Sequence, residues 1–270
     1  MSQNPTTRTH ENSWLMPVIT LIGAAFAIAA AFFGSGALGG TPINQAAGGA
    51  LSADATPLAP AGPAFSIWSV IYLGLAAYAL WQLTRTARLS PRQRSLRPWA
   101  LLSLLLNAAW IWTVQLGSLI ASVAVILALL AVLIRIMYVL GAPRTGGVVE
   151  QVLTDGAFGL YFGWVLVATF ANTWAWLADS GVDAMREIPL GVVGIVVAAV
   201  VAVTAAVLDG GRVAPALATA WGLAWIAVAR TGGRFDSDTL VWTAAAAAAV
   251  VLLVAVARRA TVARTNQPAA

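Results

Sequence analysis

The stretch GLYFGWVLVATFANTWAWL, residues 159–177, decides how this chain must be interpreted. It is long enough to cross a bilayer core as a helix, since a crossing needs about 20 mostly apolar residues. A simple membrane anchor needs only aliphatic side chains, yet this stretch carries three tryptophans, one tyrosine and the amide of Asn172. An amide without a partner is costly in lipid, so Asn172 needs a hydrogen-bonding neighbour. The stretch therefore predicts a helix that does more than anchor the chain.

The composition of the whole chain is that of a polytopic membrane protein. Of 270 residues, 60% are hydrophobic and 9% are charged, whereas soluble domains are about a quarter charged. Eight apolar runs are each long enough to span a bilayer. They cover residues 14–33, 64–84, 99–117, 119–140, 152–177, 189–208, 213–229 and 239–258. We therefore predict an all-α integral membrane protein with eight transmembrane helices.

The placement of positive charge predicts the orientation of the chain. All fifteen basic residues are arginines, and five of them lie in one predicted loop, residues 85–98. With a cytoplasmic amino terminus, eight crossings leave only Arg186, Arg230 and Arg234 outside. Positively charged loops tend to stay in the cytoplasm, so both termini should be cytoplasmic, in a bacterial plasma membrane. The basic charge thus reflects topology and anionic headgroups, and we predict no nucleic-acid partner.

Composition also divides the chain into three parts. Residues 1–13 are a polar cytoplasmic tail, residues 14–180 a tryptophan-rich bundle of five helices, and residues 181–270 a three-helix extension with a cytoplasmic tail. The first helix has some features of a cleaved signal peptide, because Arg8 precedes it and small residues follow it. The longest loop, residues 34–63, is rich in Gly, Ala and Pro. Long loops often cover binding sites, so we expect this loop to lie over a pocket.

Residues suited to hydrolytic or metal chemistry are scarce. The chain has no cysteine, and its only histidine, His10, lies in the amino-terminal tail. The apolar runs contain no pair of carboxylates at helical spacing. Neither a nucleophilic triad nor a transition-metal site has a sufficient set of residues. We therefore predict a protein that is not an enzyme and that has no metal or cofactor.

Two charged residues lie within the apolar runs. Arg135 comes shortly before the fourth run ends, and Asp155 shortly after the fifth begins, so both lie at a similar depth. Charges inside a membrane are often functional, although an arginine near the interface can also extend its head group to water. We expect the two residues to pair, either as a structural ion pair or as a part of ion or proton coupling.

Aromatic and amide side chains recur at helical spacing in three of the runs. In the fifth run, one stripe contains Tyr161, Trp164, Ala168, Asn172 and Trp176. The other two runs contribute the pairs Asn107 with Trp110 and Trp68 with Tyr72. A single aromatic residue in a helix usually serves packing, and Trp14, Trp99 and Trp242 are expected to be interfacial anchors. Three helices that each present aromatic rings, two of them with an asparagine, favour an apolar pocket with a few polar groups.

These stretches resemble motifs of the TspO/MBR family, the tryptophan-rich sensory proteins that include the mitochondrial translocator protein. YFGWVLVATFANTWAW, residues 161–176, matches every position of the fifth-helix signature Y-x-x-W-x-x-x-A-x-x-x-N-x-x-x-W. LNAAW, residues 106–110, is similar to the third-helix motif L-N-x-A-W, and IWSVIY, residues 67–72, resembles the second-helix motif V-W-T-x-x-Y. The resemblance covers residues 14–178 and implies a five-helix TspO-like bundle, often a homodimer.

The resemblance also implies a binding site. The family binds porphyrins, sterols or synthetic aromatic amides in a pocket between helices one, two, three and five. The residues implied to line it here are Trp68, Tyr72, Asn107, Trp110, Tyr161, Trp164, Ala168 and Asn172. The implied partners are the lipid bilayer and a small hydrophobic ligand, such as a porphyrin or a haem-like molecule.

Two features depart from the family pattern. AGPAFSI, residues 61–67, stands where the family has P-G-W-V-F-G-P, so the tryptophan of that segment is missing. The three helices after residue 180 have no counterpart in five-helix members. Our leading hypothesis is a membrane receptor or carrier for a flat hydrophobic ligand. The alternatives are a secondary transporter that uses the extra helices, a porphyrin-modifying enzyme, and a structural partner of another membrane protein.

Overall fold

The computed structural model describes residues 14–35, 41–43, 45–141 and 147–265. Helices and connecting turns account for all of these residues, and no strand occurs among them. The predicted tail at residues 1–13, with His10, lies outside the described residues, as do residues 36–40 and 44 of the long loop.

Eight long helices follow one another in the described ranges. They are α1 Leu15–Gly34, α2 Ile67–Trp81, α3 Pro91–Gln115, α4 Leu119–Leu140, α5 Ala157–Asp179, α6 Ile188–Leu208, α7 Val213–Ala229 and α8 Asp238–Thr265. Shorter elements are the 3-10 helices Ala47–Gly49 and Gly62–Ser66 before α2, a helix Arg85–Leu89 before α3, a helical turn Val148–Glu150 with a π-helical segment Gln151–Gly156 before α5, and a 3-10 helix Asp183–Arg186 before α6.

Among the described residues, six helical segments are long and apolar enough to cross a membrane, which indicates an integral membrane protein. The two helices outside this set are α3 and α7. Polar residues such as Asn107 and Gln115 lower the hydropathy of α3. Helix α7 is apolar but has only 17 residues.

The arginine-rich segment 85–98 is not the loop that the sequence predicted. Helix α3 already begins at Pro91, whose missing N–H costs nothing in the first turn of a helix. Ser90 caps this turn, since its Oγ accepts a hydrogen bond of 3.3 Å from the N–H of Gln93. Arg92 and Arg97 therefore lie on the first turns of α3, where they reach neighbouring helices.

The first five helices form a closed ring, in which α1, α2, α5, α4 and α3 follow one another around the circumference. Helices α3 and α4 form an antiparallel hairpin, and Gly117 adopts a φ of 75° in the turn between them. Such a φ is strained for residues with a Cβ, which explains glycine at this position.

Helix α7 packs directly on the outside of the ring against α5, and α8 packs on α7 and α6. Two glycines of the opening stretch make this approach close. A Cβ at Gly163 would lie 2.1 Å from the carbonyl oxygen of Pro215, and one at Gly159 would lie 2.9 Å from the Cβ of Ala214. Small residues at such crossings are typical of helix packing in membranes. The three carboxyl-terminal helices thus share one continuous hydrophobic core with the ring.

Candidate functional site

The aromatic residues that the sequence singled out meet around the indole of Trp68. Its ring stacks on Tyr72, with centroids 5.2 Å apart and an interplanar angle of 17°. The rings of Trp110 and Trp164 both lie 6.3 Å away, and that of Tyr161 lies 5.9 Å away. Helices α2, α3 and α5 therefore converge on one aromatic cluster, with its rings at the separations that favour edge and offset contacts.

A buried hydrogen-bond chain orients one wall of this cluster. The Nε1 of Trp110 donates to Oδ1 of Asn172 at 3.0 Å, and the Nδ2 of Asn172 donates to Oγ of Ser122 at 2.9 Å. Ser122 in turn donates to the carbonyl oxygen of Leu119 at 2.7 Å. Asn172 is 1% exposed, so its amide has found the partners that a buried amide requires.

Two further bonds fix the other polar side chains of the cluster. Asn107 donates from Nδ2 to the hydroxyl oxygen of Tyr72 at 2.9 Å, which joins α3 to α2. The hydroxyl of Tyr161 donates to the carbonyl oxygen of Ser103 at 3.0 Å, which joins α5 to α3. The Oδ1 of Asn107 is buried without a partner and is thus a free acceptor beside Tyr72.

A cavity of about 30 Å³ lies against this cluster. Its lining residues are Ala50, Leu51, Ala59, Pro60, Phe65, Trp110, Trp164, Val167, Ala168, Ala171 and Asn172. Four of the eight predicted residues line it directly, namely Trp110, Trp164, Ala168 and Asn172. The other four, Trp68, Tyr72, Asn107 and Tyr161, belong to the cluster behind it. Among the described residues α1 contributes none of the lining, although the resemblance implied a pocket bounded by this helix.

The long loop covers the cavity, as its length suggested. We call residues 45–66 the lid; Ala50, Leu51, Ala59 and Pro60 of the lid face the cavity. Phe65 lies at its carboxyl end, edge-on to Trp164 with ring centroids 5.7 Å apart. The segment that lacks the family's tryptophan thus still supplies one aromatic ring to the site.

A second polar cluster lies at the other end of the bundle, and it corrects a prediction. Asp155 pairs with Arg92 at 2.8 Å and with Arg212 at 2.5 Å, not with Arg135. The guanidinium of Arg135 lies instead 5.6 Å from the centroid of the Trp99 ring. Arg135 and Asp155 do occupy neighbouring helical segments, but the side chain of Arg135 points to the ring of Trp99.

This ionic cluster joins four helices. Arg92 also bonds to Glu150 at 3.2 Å, and both arginines donate to the carbonyl oxygen of Leu140 at the end of α4. Gln93 donates to Glu150 at 2.8 Å. The side chains of Arg92, Glu150 and Arg212 are less than a tenth exposed. Buried charges persist only when they are paired and hydrogen-bonded, which is the case here.

Only one member of this cluster is indicated by the sequence. Asp155 stands out because it interrupts an apolar run. Arg92 and Arg212 do not, because both fall in segments that hydropathy assigns to loops. The π-helical segment Gln151–Gly156 that carries Asp155 was also unpredicted; such segments are frequent at functional sites.

Electrostatics at the lid end of the molecule differ from those of the ionic cluster. Arg230, directly after α7, is fully buried. Burial lowers the pKa of its guanidinium, and the carboxylate of Asp54 opposes this effect. Three carbonyl oxygens of the lid face Arg230, from Ala53, Thr56 and Ala59.

Together, the fold and the site define an all-helical integral membrane protein with a covered aromatic cavity inside a ring of five helices. The family model described as "TSPO-like protein" matches residues 19–257, and the chain therefore belongs to the TSPO-like family. This family suggests a membrane-bound protein that binds or transports a ligand. The match continues through α6 and α7 and most of α8. No curated protein and no solved structure matches the chain.

Proposed function

We propose that the protein binds a flat hydrophobic ligand, of the porphyrin or aromatic type, in the cavity beneath the lid. The observation that carries this proposal is the convergence of Trp110 and Trp164 on a cavity whose lining is almost wholly apolar. Flat aromatic molecules stack well on indole faces, and Ala168 leaves room beside them. The protein would thus act as a receptor or carrier, and not as an enzyme.

The cavity must enlarge to hold such a ligand. Pockets for molecules of this size usually have about 300–1,000 Å³, whereas the cavity has about 30 Å³. The ring side of the cavity is fixed by the bonds of Trp110 and Asn172. The lid forms the opposite side, and its only regular elements are the short 3-10 helices Ala47–Gly49 and Gly62–Ser66. Ligand entry therefore requires that the lid move away from α5.

Titration with protoporphyrin IX tests the proposal. We expect saturable binding to the purified protein, seen as a shift of the porphyrin absorption band and as quenching of tryptophan fluorescence. Trp164→Ala should weaken binding at least about tenfold, since it removes both the apolar area of the indole and a ring contact worth about 0.5–1.5 kcal/mol. Trp242→Ala is the matched control, because Trp242 is 72% exposed on α8 and lies outside the cavity lining. Equal affinities of the two variants would contradict the proposal.

We further propose eight membrane crossings with both termini in the cytoplasm. The charge bias of the loops supports this topology, since the ionic cluster and Arg94 would face the cytoplasm and Asp183 the outside. The chain has no cysteine, so single cysteines can be introduced without background. A membrane-impermeant maleimide applied to intact cells should label Asp183→Cys and not Arg94→Cys. The reverse pattern would overturn the orientation.

Transport is the second candidate function, and the ionic cluster is the observation that favours it. Asp155 bridges Arg92 of the ring and Arg212 at the start of α7, so it links two groups of helices that could move relative to each other. Uptake of protoporphyrin into proteoliposomes should then respond to a pH gradient and be lost in Asp155→Asn. Saturable binding without uptake would contradict transport and support the receptor function.

A further inference from the structure

Among the described residues, the hydrogen bonds that join the lid to distant segments of the chain all lead to the part after residue 180. The central part of the lid, residues 53–64, runs along α6, α7 and the loop after α7, and three kinds of contact hold it there. They are a buried arginine, a set of single hydrogen bonds, and two notches in α6. Each of these attachments comes from a part of the chain that lies beyond the five-helix ring.

The buried arginine is Arg230. It is fully buried and donates hydrogen bonds to the carbonyl oxygens of Ala53, Thr56 and Ala59, the latter two at 3.2 and 3.4 Å. These three carbonyls belong to non-helical backbone and need donors when they are out of water. A single guanidinium, with five donors in a rigid fork, satisfies all three at once.

Single hydrogen bonds extend the attachment on both sides of Arg230. Trp221 donates from Nε1 to the carbonyl oxygen of Ala64 at 2.9 Å, and the N–H of Ala61 donates to the carbonyl oxygen of Trp225 at 3.1 Å. After α7, the N–H of Arg234 donates to Oδ1 of Asp54 at 3.0 Å. Helix α7 and the loop after it therefore hold the lid from Asp54 to Ala64.

The notches in α6 receive the apolar side chains of the lid. A Cβ at Gly191 would lie 2.5 Å from the Cβ of Pro57, and a Cβ at Gly194 would lie 2.7 Å from Cδ2 of Leu58. Leu58 is 1% exposed, so the fit is close. These glycines let the lid lie deeper against α6 than any larger residue would allow.

These attachments act on the cavity directly, because Ala59 and Pro60 lie between them and line it. We propose that the carboxyl-terminal helices hold the lid shut, and that Arg230 is the positioning residue whose bonds limit how often the cavity opens. This inference rests on the proposed function as far as ligand entry is concerned. It gives α6–α8 a role that the five-helix ring cannot supply by itself.

The physical reason lies in the three carbonyls. In the shut lid, Arg230 donates to all three, and the carbonyl oxygen of Thr56 also accepts a hydrogen bond of 3.1 Å from the N–H of Ala59. In Arg230→Met the apolar stem remains but the donors are gone, so the shut lid would bury the carbonyl oxygens of Ala53 and Ala59 without partners. Water satisfies them once the lid lifts. The substitution therefore shifts the equilibrium toward the open lid, by at least about tenfold if even one charged hydrogen bond is lost.

Hydrogen–deuterium exchange of the full-length protein in nanodiscs tests this inference without any ligand. We expect exchange of the amides in residues 53–64 to be at least about tenfold faster in Arg230→Met. Arg186→Met is the matched control, because Arg186 lies in the loop before α6, where it pairs with Asp183 at 3.1 Å. It should leave exchange in the lid as in the unchanged protein.

Stopped-flow binding of protoporphyrin IX is the second measurement. Both the association and the dissociation rate should rise in Arg230→Met, because the variant lowers the free-energy barrier to opening the lid. The affinity should change less, because the ring side of the cavity is unaltered. A merely structural role for Arg230 would lower affinity and leave the association rate unchanged or slower, and that result would overturn the inference.

A second variant keeps the inference testable if Arg230→Met does not fold. Gly194→Ala removes no charge, but its methyl group would meet both Leu58 and Trp174 within 2.9 Å. It should also accelerate exchange in residues 53–64. Unchanged exchange in the lid in whichever of these variants folds would refute the inference. Faster exchange without porphyrin binding by the unchanged protein would refute the proposed ligand and leave the lid attachment standing.

Discussion

Trp110 and Asn172 are joined across α3 and α5 by a hydrogen bond of 3.0 Å, from the indole Nε1 to the amide Oδ1. The bond fixes the plane of one indole that lines the cavity, and it uses the acceptor of the one amide that lies on the stripe of α5. Asn172 thus orients Trp110, so that this side of the cavity is already ordered before a ligand binds. Such preorganisation reduces the conformational entropy that is lost on binding.

Replacement of Asn172 by alanine should loosen this wall. The N–H of Trp110 would be left buried without a partner, which costs about 1–3 kcal/mol, and the Oγ of Ser122 would keep only its bond to Leu119. We expect a lower free energy of unfolding and weaker porphyrin binding, measured by denaturation and by titration. Ser122→Ala is the control, since it removes one partner of Asn172 and leaves the bond to Trp110. Equal effects of the two substitutions would speak against a role for that bond.

Replacement of Ala168 by leucine should fill the cavity. Ala168 lines the cavity between Trp164 and Asn172 on α5, so a larger side chain there occupies the space that the ligand needs. Overpacking of this kind costs about 1–3 kcal/mol of stability, and porphyrin affinity should fall much further. Ala199→Leu on α6 serves as the control, because this residue does not line the cavity. Undiminished affinity in Ala168→Leu would place the ligand elsewhere.

Replacement of Asp155 by asparagine should destabilise the fold. The change leaves Arg92 and Arg212 without their shared carboxylate, and breaking a buried ion pair costs about 3–5 kcal/mol. The free energy of unfolding, measured by denaturation in detergent, should fall accordingly. Asp183→Asn removes an exposed pair with Arg186 and should have little effect. Similar stability in the two variants would mean that the ionic cluster contributes no more than a surface pair.

Replacement of Gly163 by alanine should separate α7 from α5. The added Cβ would lie 2.1 Å from the carbonyl oxygen of Pro215, which is part of the backbone and cannot turn aside. We expect a loss of about 1–3 kcal/mol in the free energy of unfolding. Gly232→Ala is the matched control, because a Cβ there meets no atom within 4 Å. Equal free energies of unfolding in the two variants would show that Gly163 is not required for the close crossing of α5 and α7.

Much of this protein follows from local patterns in the sequence. Apolar runs locate the long helices, since a bilayer core demands a certain length of apolar helix. The helical period places Trp164, Ala168 and Asn172 on one stripe, and all three do line the cavity. The need of a buried amide for partners was also evident in the sequence, because in lipid no water can supply them.

The identity of those partners was decided by tertiary structure alone. Ser122 satisfies Asn172 from α4, about fifty residues away, and nothing in the sequence around either residue indicates the other. Asp155 likewise pairs with Arg92, far before it in the chain, and with Arg212, far after it. Only the fold brings these residues together. Sequence distance limits such inferences, since a pattern reports only on residues of the same helix.

The role of the last three helices also needed the structure. Their Ala- and Val-rich sequence indicates membrane helices and nothing more, and their glycines could serve many purposes. Only the packing shows that Gly191 and Gly194 receive the lid and that Arg230 ends beneath its carbonyls. The sequence by itself thus determined which segments enter the membrane and which face of α5 is special. Tertiary packing determined which residues each helix face contacts, because contacts between distant segments depend on the complete fold and not on the helical period of one segment.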